Sequence, residues 1–181
     1  MDDADNFSPP PALAAILHAT SGSGFQMASD HQIGSLPRTL AASKPNDAFL
    51  ELGTGTGLST AWLIAGMDSG STFASVDNDA AVQAIARRHL KHDDRVGFFV
   101  SEEGAFLESL TGREFDFIFA DTWPGKYTHL GIALGLLKIG GLYVIDDLLP
   151  QPNWPEGHAA KAASLVADLE ARPGLTLTKM N

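Results

Sequence analysis

The chain has no cysteine, which excludes disulfides and thiolate metal sites. It is poor in basic residues: 12 Lys and Arg stand against 22 Asp and Glu, for a formal net charge of -10. A surface of that sign repels polyanions, so nucleic acid is not an expected partner. No apolar stretch approaches the roughly 20 residues that span a bilayer, and the start Met-Asp-Asp-Ala-Asp lacks a basic region followed by an apolar core. A soluble, cytoplasmic protein without membrane association is expected. No internal repeat or heptad is visible, and 181 residues, 44% of them hydrophobic, suit one domain with an ample core.

What the chain does have is a glycine-rich turn. Residues 49–59 read Phe-Leu-Glu-Leu-Gly-Thr-Gly-Thr-Gly-Leu-Ser: an apolar run, glycines at alternate positions, then a helical pattern through Ile64. A strand, a tight loop and a helix are expected, with Gly53, Gly55 and Gly57 letting the backbone approach a ligand that side chains would push away. A nucleoside cofactor is the natural ligand. The dinucleotide fingerprint needs its third glycine three residues after the second; here it comes two after, which argues against a nicotinamide-dependent oxidoreductase. A phosphate P-loop fails because no Gly-Lys-Ser/Thr follows. Glu51, a carboxylate ending an otherwise apolar strand, points to a task at the loop rather than to simple burial.

The remaining chain alternates between the two periods of an α/β domain. Strands are predicted over residues 48–52, 72–77, 96–100, 115–121, 141–146 and 175–179, and helices over 58–67, 79–91, 104–110, 127–138 and 158–171. Two more helices are expected earlier, one from Ala12 to Ala19 and one starting at a capping box of Ser29 and Gln32, with Pro37 kinking it or shifting its start. Residues 1–10 are expected to be mobile and Thr20 to Gly24 to be a break, so that residues 1–28 form a flexible N-terminus with a short helix and 29–181 the domain proper. Such alternation gives a doubly wound, Rossmann-like, mainly parallel sheet with helices on both faces. Glu51, Asp77, Glu102, Asp121 and Asp146 each end or follow a strand and so collect on the sheet edge where ligands bind.

On Glu51-Leu-Gly-Thr-Gly-Thr-Gly57 the sequence resembles the class I S-adenosylmethionine-dependent methyltransferases, from about Ser29 onward. The resemblance implies that Gly53, Gly55 and Gly57 underlie the methionyl group and that Ser59 lies near its carboxylate. It also implies that Asp77, ending the second strand, holds the ribose hydroxyls with help from Asn78. Glu102 is the candidate for the adenine amino group, with Glu103 the neighbouring alternative. Asp77 read without the resemblance would cap the helix starting near Asp79.

Asp121, Trp123 and Tyr127, with Gly140 to Asp147, resemble the cation-dependent catechol and caffeoyl-coenzyme A O-methyltransferases. Asp121, Asp146 and Asp147 are then the implied ligands of Mg²⁺ or Mn²⁺, which would also relieve the repulsion of three gathered carboxylates. The implied reaction is O-methylation of a small-molecule hydroxyl on a catechol-like diol. Two positions depart from the family pattern: Asp147 stands where Asn is usual, and the nearest candidate for the catalytic lysine is Lys126, further from Asp121 than in the family. Trp123 and Tyr127 suit either an aromatic substrate wall or core packing, and His129 and His158 are read as surface or packing residues. Residues 148–158 form a lid candidate. The usual seventh strand is not found, so either the sequence is a truncated piece or the edge near residues 175–179 is paired differently, for which a homodimer is one option. A metal-independent methyltransferase and a non-catalytic cofactor-binding module remain as alternatives.

Overall fold

The computed structural model describes residues 8–25, 31–151 and 154–180. Its strands are β1 (Ala48–Leu52), β2 (Thr72–Asp77), β3 (Val96–Val100), β4 (Phe115–Ala120) and β5 (Leu137–Ile145). The helices are α1 (Leu13–Ser23), α2 (His31–Ala42), α3 (Leu58–Gly66), α4 (Ala80–Leu90), α5 (Glu103–Ser109), α6 (Leu130–Gly135) and α7 (His158–Ala171). All strand pairs are parallel, in the order β3-β2-β1-β4-β5. The chain winds outward from β1 in one direction and from β4 in the other, so the two central strands flank the point where strand order reverses.

Alternation along the central strands puts consecutive side chains on opposite faces. Phe49, Phe73, Phe117 and Phe119 pack with Leu13, Ile16, Trp62 and Leu63 from α1 and α3. Leu50, Leu52, Val76 and Ile118 pack on the other face with Phe106 and Leu107 of α5 and Ala133 of α6. Both faces of β1 and β4 are therefore covered, which explains their nearly unbroken apolar sequence. α4 ends its N-terminal turn on Asp79, whose carboxylate accepts from Ala81 N and Val82 N.

Several sequence expectations need correction. α1 does not stop at Ala19: Thr20, Ser21 and Ser23 turn their hydroxyls back to the carbonyls of Ile16, His18 and Thr20, and the helix ends only at Gly24 with φ 77°. Leu13 and Ile16 are buried in the same cluster as Phe49, so α1 is part of the main core. The helix expected over 127–138 shortens to α6, because Leu137 already pairs with Phe115 in β5. β5 itself changes register between Phe115 and Phe117, opposite the Gly140-Gly141 pair. No strand forms at 175–179, where the chain has no regular secondary structure and Leu175 and Leu177 are exposed. Residues 1–7, the Ser29 end of the capping box and Pro152 in the lid lie outside the described residues.

Candidate functional site

The loop between β1 and α3 is sewn to the end of β2. Gly53 N and Thr54 N both donate to the Val76 carbonyl, at 2.9 and 3.1 Å. All three loop glycines have positive φ, but they serve different ends. A Cβ on Gly53 would come within 2.9 Å of the Asp121 carbonyl oxygen, and one on Gly57 within 2.6 Å of the Ala86 side chain. These two glycines let β4 and α4 close onto the loop. Gly55 differs: among the described residues, a Cβ there would meet only the Phe25 ring, at 3.6 Å. The more open position of the loop is thus Gly55.

Glu51 lies behind that loop rather than in it. It is fully buried, with Ser59 Oγ donating to Oε1 at 2.7 Å and Thr60 Oγ1 and Ser75 Oγ to Oε2 at 2.6 and 2.5 Å. Parallel pairing sets this up, since Glu51 sits opposite Ser75 and both point to the face that carries α3. Burial pushes the Glu51 carboxyl up to about 7, against the opposing pull of the three hydroxyls, with Asp121 adding a little. The network continues from Ser75 to Thr54 at 2.6 Å, and from Thr54 to Gln83, whose amide also donates to the Phe99 carbonyl at 2.7 Å. Ser59, expected near a ligand carboxylate, spends its hydroxyl on Glu51. Gln83 was not foreseen; a single Gln on a helix carries no signal that it is wholly buried under a loop.

Asp77 closes β2 at the loop's rim. Its carboxylate accepts from Gly55 N at 2.7 Å and from Asp79 N at 2.8 Å, so it orders the glycine loop and the start of α4 at once. Helix capping falls to Asp79 instead. Glu102 is taken up as the cap of α5, accepting from Ala105 N at 2.7 Å, and backbone amides hold its carboxyl below the usual range. It does not turn toward Asp77. Glu103 does: it is buried, meets Asn78 N at 3.2 Å and Asn78 Nδ2 at 3.3 Å, and is raised by burial and by Asp77. Of the two alternatives left open by the sequence, Glu103 is the one beside Asn78.

On the other side of the switch point, the Asp121-Thr-Trp-Pro-Gly-Lys126 loop folds back on itself. Gly125, with φ 91°, allows a turn in which Lys126 N and Tyr127 N both return to the Trp123 carbonyl. This brings Lys126 under the ends of β4 and β5. The Lys126 side chain is 5% exposed, and its ammonium lies 3.1 Å from Asp121 Oδ1 and donates to the Asp146 carbonyl at 2.7 Å. Asp146 accepts from Asp147 N at 2.7 Å, and burial with Asp121 nearby pushes its carboxyl up to about 6. Asp147, at φ 58°, turns away, and Trp154 Nε1 lies 3.3 Å from each of its oxygens. The three aspartates therefore do not assemble as the implied metal set: among the described residues, no group of three or more His, Cys, Asp or Glu is placed to hold an ion. The charge the sequence assigned to a cation is instead met by Lys126.

Aromatic rings close this side. Trp123 meets Tyr127 edge-on at 5.2 Å, and Trp154 lies 4.3 Å from the His158 ring, with Lys161 over Trp123 at 4.3 Å. His158 is buried, with Nε2 3.1 Å from the Tyr127 hydroxyl. Trp154 is thus held beside Asp147.

A family model described as a methyltransferase domain matches residues 50–148, more than half of the chain and all of the strands that build this edge. The chain belongs to this methyltransferase-domain family. The methyltransferase domain is 28% identical over 144 residues to a catechol O-methyltransferase of Mycobacterium tuberculosis, covering 77% of this chain and 66% of that protein. The chain spans only 52% to 66% of the length of the curated relatives it matches. Among solved structures, cofactor-bound Rv0187 from MTB superposes with a TM-score of 0.83 at 25% identity, over 94% of this chain and 83% of that one. An O-methyltransferase from Bacillus cereus in complex with SAH shares the fold, with a TM-score of 0.81 at 20% identity over 94% of this chain and 84% of the other.

Proposed function

We propose that this methyltransferase domain binds S-adenosylmethionine over Gly55 and methylates a hydroxyl oxygen of a small molecule. The observation that carries this reading is the pairing of Asp77 with the open glycine: a carboxylate at the rim, held by two backbone amides, beside the one loop glycine to which, among the described residues, only Phe25 comes near. Each Asp77 oxygen keeps a free lone pair after those bonds, enough to receive a vicinal pair of hydroxyls. Glu103 and Asn78 border the same rim. The similarity to a catechol O-methyltransferase supports oxygen as the acceptor atom.

The donor supplies a sulfonium methyl: the acceptor oxygen forms the new O–C bond as the C–S bond breaks, sulfur keeps the electron pair, and the hydroxyl proton passes to water. The chain's own part is to hold donor and acceptor in line. Asp77 and the loop amides fix the donor side; Trp123, Tyr127 and the Trp154 segment border the acceptor side. Asp121, Asp146 and Asp147 as arranged do not fit a divalent ion, so no step is assigned to one. The test is product detection by mass spectrometry after incubation with S-adenosylmethionine and a panel of phenols, catechols and carboxylates. Methylated oxygen in any phenol or catechol is expected. Cofactor binding with no product across the panel would leave a binding module in place of an enzyme.

A further inference from the structure

We propose that the Lys126 ammonium is a built-in cation standing in for a divalent ion, holding the acceptor oxygen with one N–H while Asp121 and the Asp146 carbonyl fix the other two. The inference rests on the O-methylation reading and adds the means of acceptor activation. An ammonium has three donors. Asp121 Oδ1 at 3.1 Å and the Asp146 carbonyl at 2.7 Å engage two of them, in a site where Lys126 is 5% exposed. The Gly125 turn that delivers Lys126 is itself locked, since Tyr143 Oη donates to the Gly125 carbonyl at 2.6 Å and Gly125 N to Thr128 O at 2.7 Å. Asp147, the third expected ligand, is drawn off by Trp154.

In the step this implies, the acceptor hydroxyl gives its proton to water and the resulting oxyanion is held by Lys126. The oxyanion then takes the methyl group as the C–S pair returns to sulfur. Removing a preorganised donor to a developing oxyanion lowers kcat about 10²–10³-fold.

The direct test needs no variant. Equimolar Mn²⁺ is titrated into the wild-type chain and the free-ion electron paramagnetic resonance signal is followed, with turnover measured in EDTA. An undiminished signal and unchanged turnover are expected. Stoichiometric Mn²⁺ binding that Asp121→Asn removes, or turnover abolished by EDTA, would overturn the inference. Lys126→Met is expected to lose about 10²-fold or more in kcat with S-adenosylmethionine affinity retained, and Lys126→Arg to recover part of it. Full turnover in a folded Lys126→Met chain would also overturn it, and should that variant not fold, Lys126→Arg and the ion titration still decide. A wild-type chain that makes no methylated product would instead sink the O-methylation reading, whatever the Mn²⁺ result.

Discussion

Glu51 shows how much of the site a single residue can disclose and where the disclosure ends. A carboxylate in the apolar run Phe-Leu-Glu-Leu is visible as an anomaly in the sequence. Its direction is not, because the hydroxyls that receive it come from β2 and α3 and meet only once the sheet is registered. The same limit applies to Glu102 and Glu103, where a shift of one residue decides between a helix cap and a place beside Asn78. Burial raises the Glu51 carboxyl from its ordinary 4.5 to about 7, so the native chain holds a proton that the unfolded chain releases. Its stabilising contribution is therefore fully present below pH 4.5 and is lost as pH rises through about 7. The full swing is roughly 3 kcal/mol, or a Tm change of roughly 5–10 °C for a chain of this size. Glu51→Gln should remove that part of the decline while keeping an acceptor for the hydroxyls. Thermal melts of both proteins between about pH 5 and pH 8 would check it; parallel profiles would show that Glu51 does not titrate in this range.

At the scale of elements, the strand–loop–helix unit divides its duties between glycines. Gly57 is at φ 93° and a Cβ there would sit 2.6 Å from the Ala86 side chain, so Gly57→Ala should destabilise by roughly 2–4 kcal/mol through strain and overpacking between α3 and α4. Gly55→Ala should cost roughly 1–2 kcal/mol in stability, from the positive φ alone, but weaken cofactor binding by about tenfold or more, because its Cβ would enter the proposed cofactor site. Thermal unfolding and calorimetry on the two variants separate the effects, and equal stability losses would refute the division. The alternating glycines were legible; which of them face protein was not, since that depends on how Ala86 and the Asp121 carbonyl approach. Residues 175–179 failed in the opposite way. The alternation of Leu175 and Leu177 is a strand pattern, but a strand exists only where a neighbour accepts its ladder. A lid was expected from the prolines and length of residues 148–158, and the structure places Trp154 Nε1 against Asp147; if that stretch covers the acceptor, Trp154→Ala should raise the KM for the acceptor several-fold without changing cofactor affinity, as steady-state kinetics would show.

Across the whole molecule, five parallel strands bring Asp77, Asp121 and Asp146 to one edge and place the glycine loop and the Lys126 turn on either side of the switch between β1 and β4. That convergence follows from strand order and was legible from the α/β alternation alone. The source of the neutralising charge was not, because a turn at Gly125 decides whether Lys126 reaches the aspartates, and turn geometry is local to the folded chain. No described helix is long and apolar enough to cross a membrane. The account stands on donor binding at this edge. Its most direct test is isothermal titration calorimetry of the wild type and Asp77→Ala with S-adenosylmethionine and its demethylated product. One equivalent of either should bind the wild type, with affinity reduced roughly a hundredfold in Asp77→Ala as bonds to a charged acceptor are lost. No heat of binding to either ligand in the wild type, or equal affinity in the variant, would contradict the account.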